Sequence, residues 1–163
     1  MGRILMKIIV LNIILLLCSN IIAQHQINWV SFEEAVKTNK TKPKLMLIDV
    51  YTSWCGYCKK MDRTTFQDSV MIDFLNDNFY CVKVDAEMRS DVIFNGDTLG
   101  FIKDWGRNGV HELAARLLDG KMGYPAFVVL NKNLARIEII KGFNPVESFG
   151  PKLEKIWKTY GLN

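Results

Sequence analysis

The pattern of apolar runs predicts an α/β sandwich, a mixed central β-sheet flanked by helices. Three observations carry that expectation. Leu45–Tyr51 (LMLIDVY) is apolar without alternation except at Asp49, the signature of a strand buried on both faces. Strand-length runs alternate with helical patterns through the first half of the chain, which implies parallel pairing. Ala126–Leu130 and residues 135–140 are joined only by a short Asn-Lys-Asn link, which makes an antiparallel hairpin. With 163 residues, 49% hydrophobic and 23% charged, the chain has the composition of one globular domain.

The first residues read as an export signal. Arg3 and Lys7 precede an apolar stretch over 8–17, broken by Asn12, and Ala23 before Gln24 offers a cleavage point. That run is shorter than the ~20 residues a membrane-spanning helix needs, so cleavage is favoured over an uncleaved anchor. A lipid-modified Cys18 is disfavoured because Leu17, not a small residue, precedes it. Residues 1–23 are therefore assigned to a signal peptide and 24–163 to the folded domain, with the mature protein exported to the periplasm or another extracytoplasmic space. The formal charge is +4, of which Arg3 and Lys7 carry two. The remainder is close to neutral and gives no reason to expect nucleic acid as a partner.

Within the domain, Ser31-Phe32-Glu33-Glu34 fits a capping box opening a helix to about Asn39. The strand Leu45–Tyr51 follows, and residues 54–66 turn into a second helix. Asp68 or Ser69 caps a third over 70–75, and 80–84 is a short β-rich run. Residues 86–109 are the least regular. There, Val92–Phe94 and residues 98–102 flank Asn95-Gly96, a dipeptide suited to a tight hairpin turn, and 106–109 is a loop. A helix is expected over 110–118, with Leu113, Leu117 and Leu118 on one face and Gly120 beyond its end. Gly142 ends the final hairpin, and 145–160 carries Phe149, Leu153, Ile156 and Trp157 at helical intervals. Met61 and Met71 fall at core positions, His111 at a helix start, and Cys81 in an apolar strand, where a cysteine is a packed and unreactive residue.

The chemistry lies in Trp54-Cys55-Gly56-Tyr57-Cys58-Lys59, where the long apolar strand hands over to a helix. A cysteine in the first turn of a helix faces unpaired amides and the positive end of the helix dipole, and both favour thiolate over thiol. Cys58 follows one turn later, within reach of the first sulfur. Cys55 is thus expected as the exposed nucleophile and Cys58 as the more buried resolving thiol, with Lys59 and Lys60 adding weak electrostatic support. Trp54 would pack beside the pair as an apolar rim. The same spacing could form half of a zinc site, but Cys81, His25 and His111 supply no second ligand pair at metal spacing, so no metal is expected. An export signal with a CxxC pair points to redox chemistry outside the cytoplasm.

On these residues the chain resembles the thioredoxin superfamily, over nearly all of 24–163 except about 86–109. The family motif WCxxCK matches Trp54 to Lys59. The resemblance implies a thioredoxin-like sandwich with an insertion at about 86–109 and a reversible dithiol–disulfide exchange that needs no cofactor beyond Cys55 and Cys58. It implies that Asp49 is a buried acid moving the proton of the second cysteine, with a raised pKa. It implies a cis peptide before Pro125, which helps keep metal from the thiols. Tyr124, Tyr57 and Trp54 would border the substrate groove, and Gly142 would allow close approach of substrate. Exported protein thiols and disulfides are the implied clients. An upstream electron donor or acceptor, soluble or membrane-bound, is the implied partner, and the protein is expected as a monomer. Reduction is the preferred direction. Oxidase or isomerase action, and a non-catalytic client- or copper(I)-binding module, stay open. The chain departs from small cytoplasmic members in its longer interval from Cys58 to Pro125, and from their Gly-Pro dipeptide in having Gly56-Tyr57.

Overall fold

The sheet order follows from which strands can bury both faces. The computed structural model describes residues 25–94 and 96–161; the expected signal segment with Cys18, and Asn95 of the expected turn, lie outside the described residues. In chain order the elements are β1 (Trp29–Val30), α1 (Phe32–Asn39), β2 (Leu45–Tyr51), α2 (Gly56–Arg63), a 3₁₀ turn (Thr65–Gln67), α3 (Ser69–Asn78) and β3 (Phe79–Asp85). Then come β4 (Val92–Phe94), β5 (Asp97–Leu99), β6 (Phe101–Ile102), β7 (Val110–His111), α4 (Glu112–Leu117), β8 (Ala126–Leu130), β9 (Arg136–Lys141) and α5 (Val146–Tyr160).

The central sheet runs β1-β3-β2-β8-β9. β2 is parallel to β3 and antiparallel to β8, so the sheet is mixed as expected, and β9 closes it as the antiparallel arm of a hairpin. Alternate residues of β2 enter opposite cores. Met46, Ile48 and Val50 pack with Phe32 and Ala35 of α1, with Leu113 and Leu117 of α4, and with Val92 and Leu99. Leu45 and Leu47 pack with Met61 of α2, Ile72 and Leu75 of α3, and Phe149 and Leu153 of α5. Two apolar cores, one on each face, explain why the β2 sequence shows no alternation. Cys81 lies in the second core, 1% exposed, and burial pushes its thiol up to about 12.

Several boundaries differ from the sequence expectation, each for a local reason. The helix expected over 54–66 stops at Arg63. Thr64 leaves helical geometry with its hydroxyl donating to Lys60 O at 2.8 Å, and Thr65 Oγ1 donates to Asn144 O at 2.8 Å. The third helix is longer than 70–75; Asp68 caps it by accepting from Met71 N at 2.8 Å. The strand β1 escaped the reading because only two residues pair.

The expected hairpin arm over 98–102 is two strands, divided at Gly100: β5 pairs with β4, while β6 pairs with β7. Residues 110–111 are accordingly extended, and the helix expected from 110 starts at Glu112. His111 caps it, its Nδ1 accepting from Leu113 N at 3.1 Å. The segment after β3 is therefore folded, as two small hairpins packed over the α1–α4 face. His111 N–H donating to Ala86 O at 2.7 Å ties its ends together.

Candidate active site

β2 delivers the chain to the site. After Tyr51 the backbone turns, with Cys55 N–H donating to Thr52 O at 3.1 Å, and α2 begins at Gly56 with Cys55 as its N-cap. Cys55 and Cys58 are joined as a disulfide, their Cα atoms 5.3 Å apart. Cys55 Sγ accepts the Cys58 N–H at 3.0 Å, so the sulfur occupies the place a capping oxygen takes at other helices. The first turn of α2 holds no acidic residue, and Lys60 and Arg63 lie in its last turn. The local field on a reduced Cys55 is therefore the positive end of the helix, with no carboxylate in that turn to oppose it.

The expected contrast between an exposed Cys55 and a buried Cys58 is not found in this oxidised state: they are 5% and 4% exposed. Bonding to Cys58 and to its amide draws the Cys55 sulfur back onto the helix end. The exposed groups are its neighbours, Trp54 at 58% and Tyr57 at 63%.

Asp49 is 2% exposed on β2, and burial pushes its carboxyl up to about 6. Lys83 opposes that rise: it is the β3 residue in register with Asp49, and its Nζ lies 3.0 Å from Oδ2. The same ammonium lies 2.6 Å from Asp62 of α2, which divides its charge between two carboxylates. The rings of Trp29 and Tyr51 lie 4.9 and 5.1 Å from Lys83 Nζ, a cage that favours the cation. Among the described residues, Asp49 Oδ1 and Thr52 Oγ1 are buried side-chain atoms with no hydrogen-bond partner. Asp49 thus combines a near-neutral pKa with a carboxyl oxygen free to take a proton.

The Tyr124–Pro125 peptide is cis, as the resemblance implied. Gly142, at φ +77°, donates its N–H to Pro125 O at 2.8 Å, which fixes the proline loop against the end of β9. Tyr124 meets Trp54 edge to face with centroids 5.9 Å apart, and burial, then the charges of Glu87 and Asp85, push its phenol up to about 12. Tyr57 lies against Phe143 at 6.3 Å, and Lys60 Nζ stands 4.2 Å over that same ring. His25 pairs with Asp73 at 2.7 Å.

The fold thus brings Trp54, Cys55, Tyr57 and Cys58 together with Tyr124, and ties Pro125 to Gly142. Sequence reasoning missed Lys83, Asp62, Phe143 and Glu87. Lys83 had a legible signal: it is the one charged residue inside the apolar run of β3, as Asp49 is inside β2. Asp62, Phe143 and Glu87 carry none, because only the tertiary fold brings them to the site.

The family model Thioredox_DsbH, described as a protein of unknown function (DUF255), matches residues 18–97. Among curated proteins, Uncharacterized protein B0495.5 of Caenorhabditis elegans is 35% identical over 71 residues, 43% of this chain and 10% of that protein. Spermatogenesis-associated protein 20 of Mus musculus is 35% identical over 71 residues, 43% of this chain and 9% of that protein. The chain spans about a tenth of the length of these relatives. Among solved structures, a DsbH oxidoreductase superposes with a TM-score of 0.58 at 18% identity, covering 85% of this chain and 87% of the other. A thioredoxin from Thermus thermophilus superposes with a TM-score of 0.60 at 17% identity, covering 80% and 87%. These likenesses place the mixed sheet and its flanking helices in the thioredoxin fold, and the Cys55–Cys58 pair supports a thiol–disulfide redox function. The chain thus has the thioredoxin fold, and its residues 18–97 are similar to the Thioredox_DsbH family.

Proposed function

We propose that the protein is an exported oxidoreductase that reduces disulfides of extracytoplasmic protein clients. The observation that carries this reading is the placement of Cys55 as the N-cap of α2, its sulfur accepting the Cys58 amide. A thiolate there gains from the same amide and from the helix dipole.

In the reduced enzyme, Cys55 thiolate attacks one sulfur of a client disulfide. The client S–S bond breaks, a mixed disulfide forms, and the released client sulfur takes a proton. Asp49 takes the proton of Cys58, whose thiolate attacks Cys55 Sγ. The mixed disulfide breaks, Cys55–Cys58 forms, and the second client sulfur leaves as a thiol. Two electrons pass to the client, and an upstream dithiol, soluble or membrane-bound, restores them. The raised Asp49 supports reduction, because an acid near neutrality can accept the Cys58 proton and later return it. Export rests on the basic and apolar residues that precede Ala23.

Two assays test this. Reduction of a protein disulfide under an excess of reductant should proceed with wild type and vanish with Cys55→Ser, while Cys58→Ser should accumulate mixed disulfides on a non-reducing gel. Equilibration with glutathione should place the pair towards the about −270 mV end of the known range; a value near about −120 mV would assign it to oxidation.

A further inference from the structure

The folded insertion helps to line a groove that includes Trp54, the residue next to Cys55. Its volume is about 780 Å³, within the ~300–1,000 Å³ typical of ligand clefts, and its lining includes the rings of Trp54, Trp105 and Tyr124. Trp105 is 39% exposed although it belongs to a large apolar type. Four contacts hold these walls. Trp54 Nε1–H donates to Glu87 Oε1 at 2.9 Å, and Asn108 Nδ2 donates to the same oxygen at 3.0 Å, so the insertion grips the tryptophan next to the nucleophile. Tyr124 braces Trp54 edge to face. The Trp105 ring lies against Gly120, where a Cβ would sit 3.4 Å from it and where φ is +68°, a value that favours glycine.

We propose that this groove binds an extended client segment by seating an aromatic or long apolar side chain that flanks the client's reactive cysteine. This deepens, and rests on, the redox reading of Cys55. The occupant follows from continuity. Trp54 is bonded to Cys55 and Tyr124 to Pro125, so a polypeptide whose sulfur bonds to Cys55 carries its flanking residues past these rings. The groove's aromatic walls suit an apolar side chain, and its charged lining residues, Glu87 and Arg107, are opposite in sign and select no charge. Because the walls are already pinned, binding does not have to order them, which conserves affinity.

The test uses two peptides carrying serine in place of cysteine, one with tryptophan beside it and one with glycine, titrated by calorimetry. Wild type should bind the tryptophan peptide about tenfold more tightly, the ~1.4 kcal/mol expected of an added aromatic contact. Trp105→Ala should lose that selectivity and Trp105→Phe should keep most of it. Equal affinity for both peptides in wild type, or selectivity unchanged in Trp105→Ala, overturns the groove. Exchange with the small disulfide cystamine, measured in parallel on wild type, tests the redox reading separately; its failure would condemn that reading while the serine peptides still decide the groove.

Discussion

Asp49 is held in a position that opposes its own charge, and the opposition has a measurable sign. Burial raises its carboxyl from 3.8 to about 6, net of the attraction of Lys83. Between those pH values the folded state binds more protons than the unfolded one, so stability falls as pH rises through that window. The shift corresponds to about 3 kcal/mol of lost stability above pH 6. Asp49→Asn should therefore stabilise the oxidised protein by up to about 3 kcal/mol at pH 8 and by little near pH 3.5, read from urea midpoints at the two pH values. The same variant should slow resolution of the mixed disulfide, because Cys58 loses the proton acceptor proposed for it. A destabilising acid buried on the strand that leads to the paired cysteines fits the proton-transfer role proposed for it. Lys83 and Asp62 set how far that acid is raised: the first lowers it and the second raises it.

At the scale of elements, the insertion behaves as structure and not as a slack loop. Gly109 at φ +80° lies so close to Phe101 that an added Cβ would stand 2.0 Å from Cζ. Arg89 stands over the same ring, its guanidinium carbon 3.6 Å from the centroid. Gly109→Ala must both strain the backbone and displace the ring, together about 2–4 kcal/mol. The expected result is a lower urea midpoint with hydrogen-exchange protection lost first in β6 and β7 and kept in β2 and β3. The helix elements show the opposite economy. α2 and α3 are separated by one 3₁₀ turn, and Thr64 and Thr65 end the first helix by turning their hydroxyls onto backbone carbonyls. That break leaves α2 short, with Cys55 and Cys58 both in or beside its first turn.

For the whole molecule, what could be read from sequence was what depends on local pattern. β2, β8, the closing hairpin and α5 were legible because burial on two faces, a short link and helical spacing each leave a one-dimensional trace. The pairing of Cys55 with Cys58 was legible for the same reason, since they lie at a strand-to-helix junction that the chain itself marks. The division of residues 98–102 at Gly100, the extended 110–111 and the ion cluster of Asp49, Lys83 and Asp62 were not. They are decided by partners distant in sequence, such as Phe101 with His111 and Asp49 with Lys83. Even so, each elaborates the fold around the start of α2 without moving it.

The most direct measurement is the thiolate absorbance of the reduced protein followed with pH. In protein produced from Gln24, which lacks Cys18, Cys81, pushed up to about 12, leaves the window below pH 9 to the pair. A sulfur stabilised at the start of α2 should ionise well below the ~8.5 of a free cysteine, with the inflection kept in Cys58→Ser and absent in Cys55→Ser. An inflection at or above ~8.5, or one that survives Cys55→Ser, would contradict the assignment of Cys55 as the helix-stabilised nucleophile.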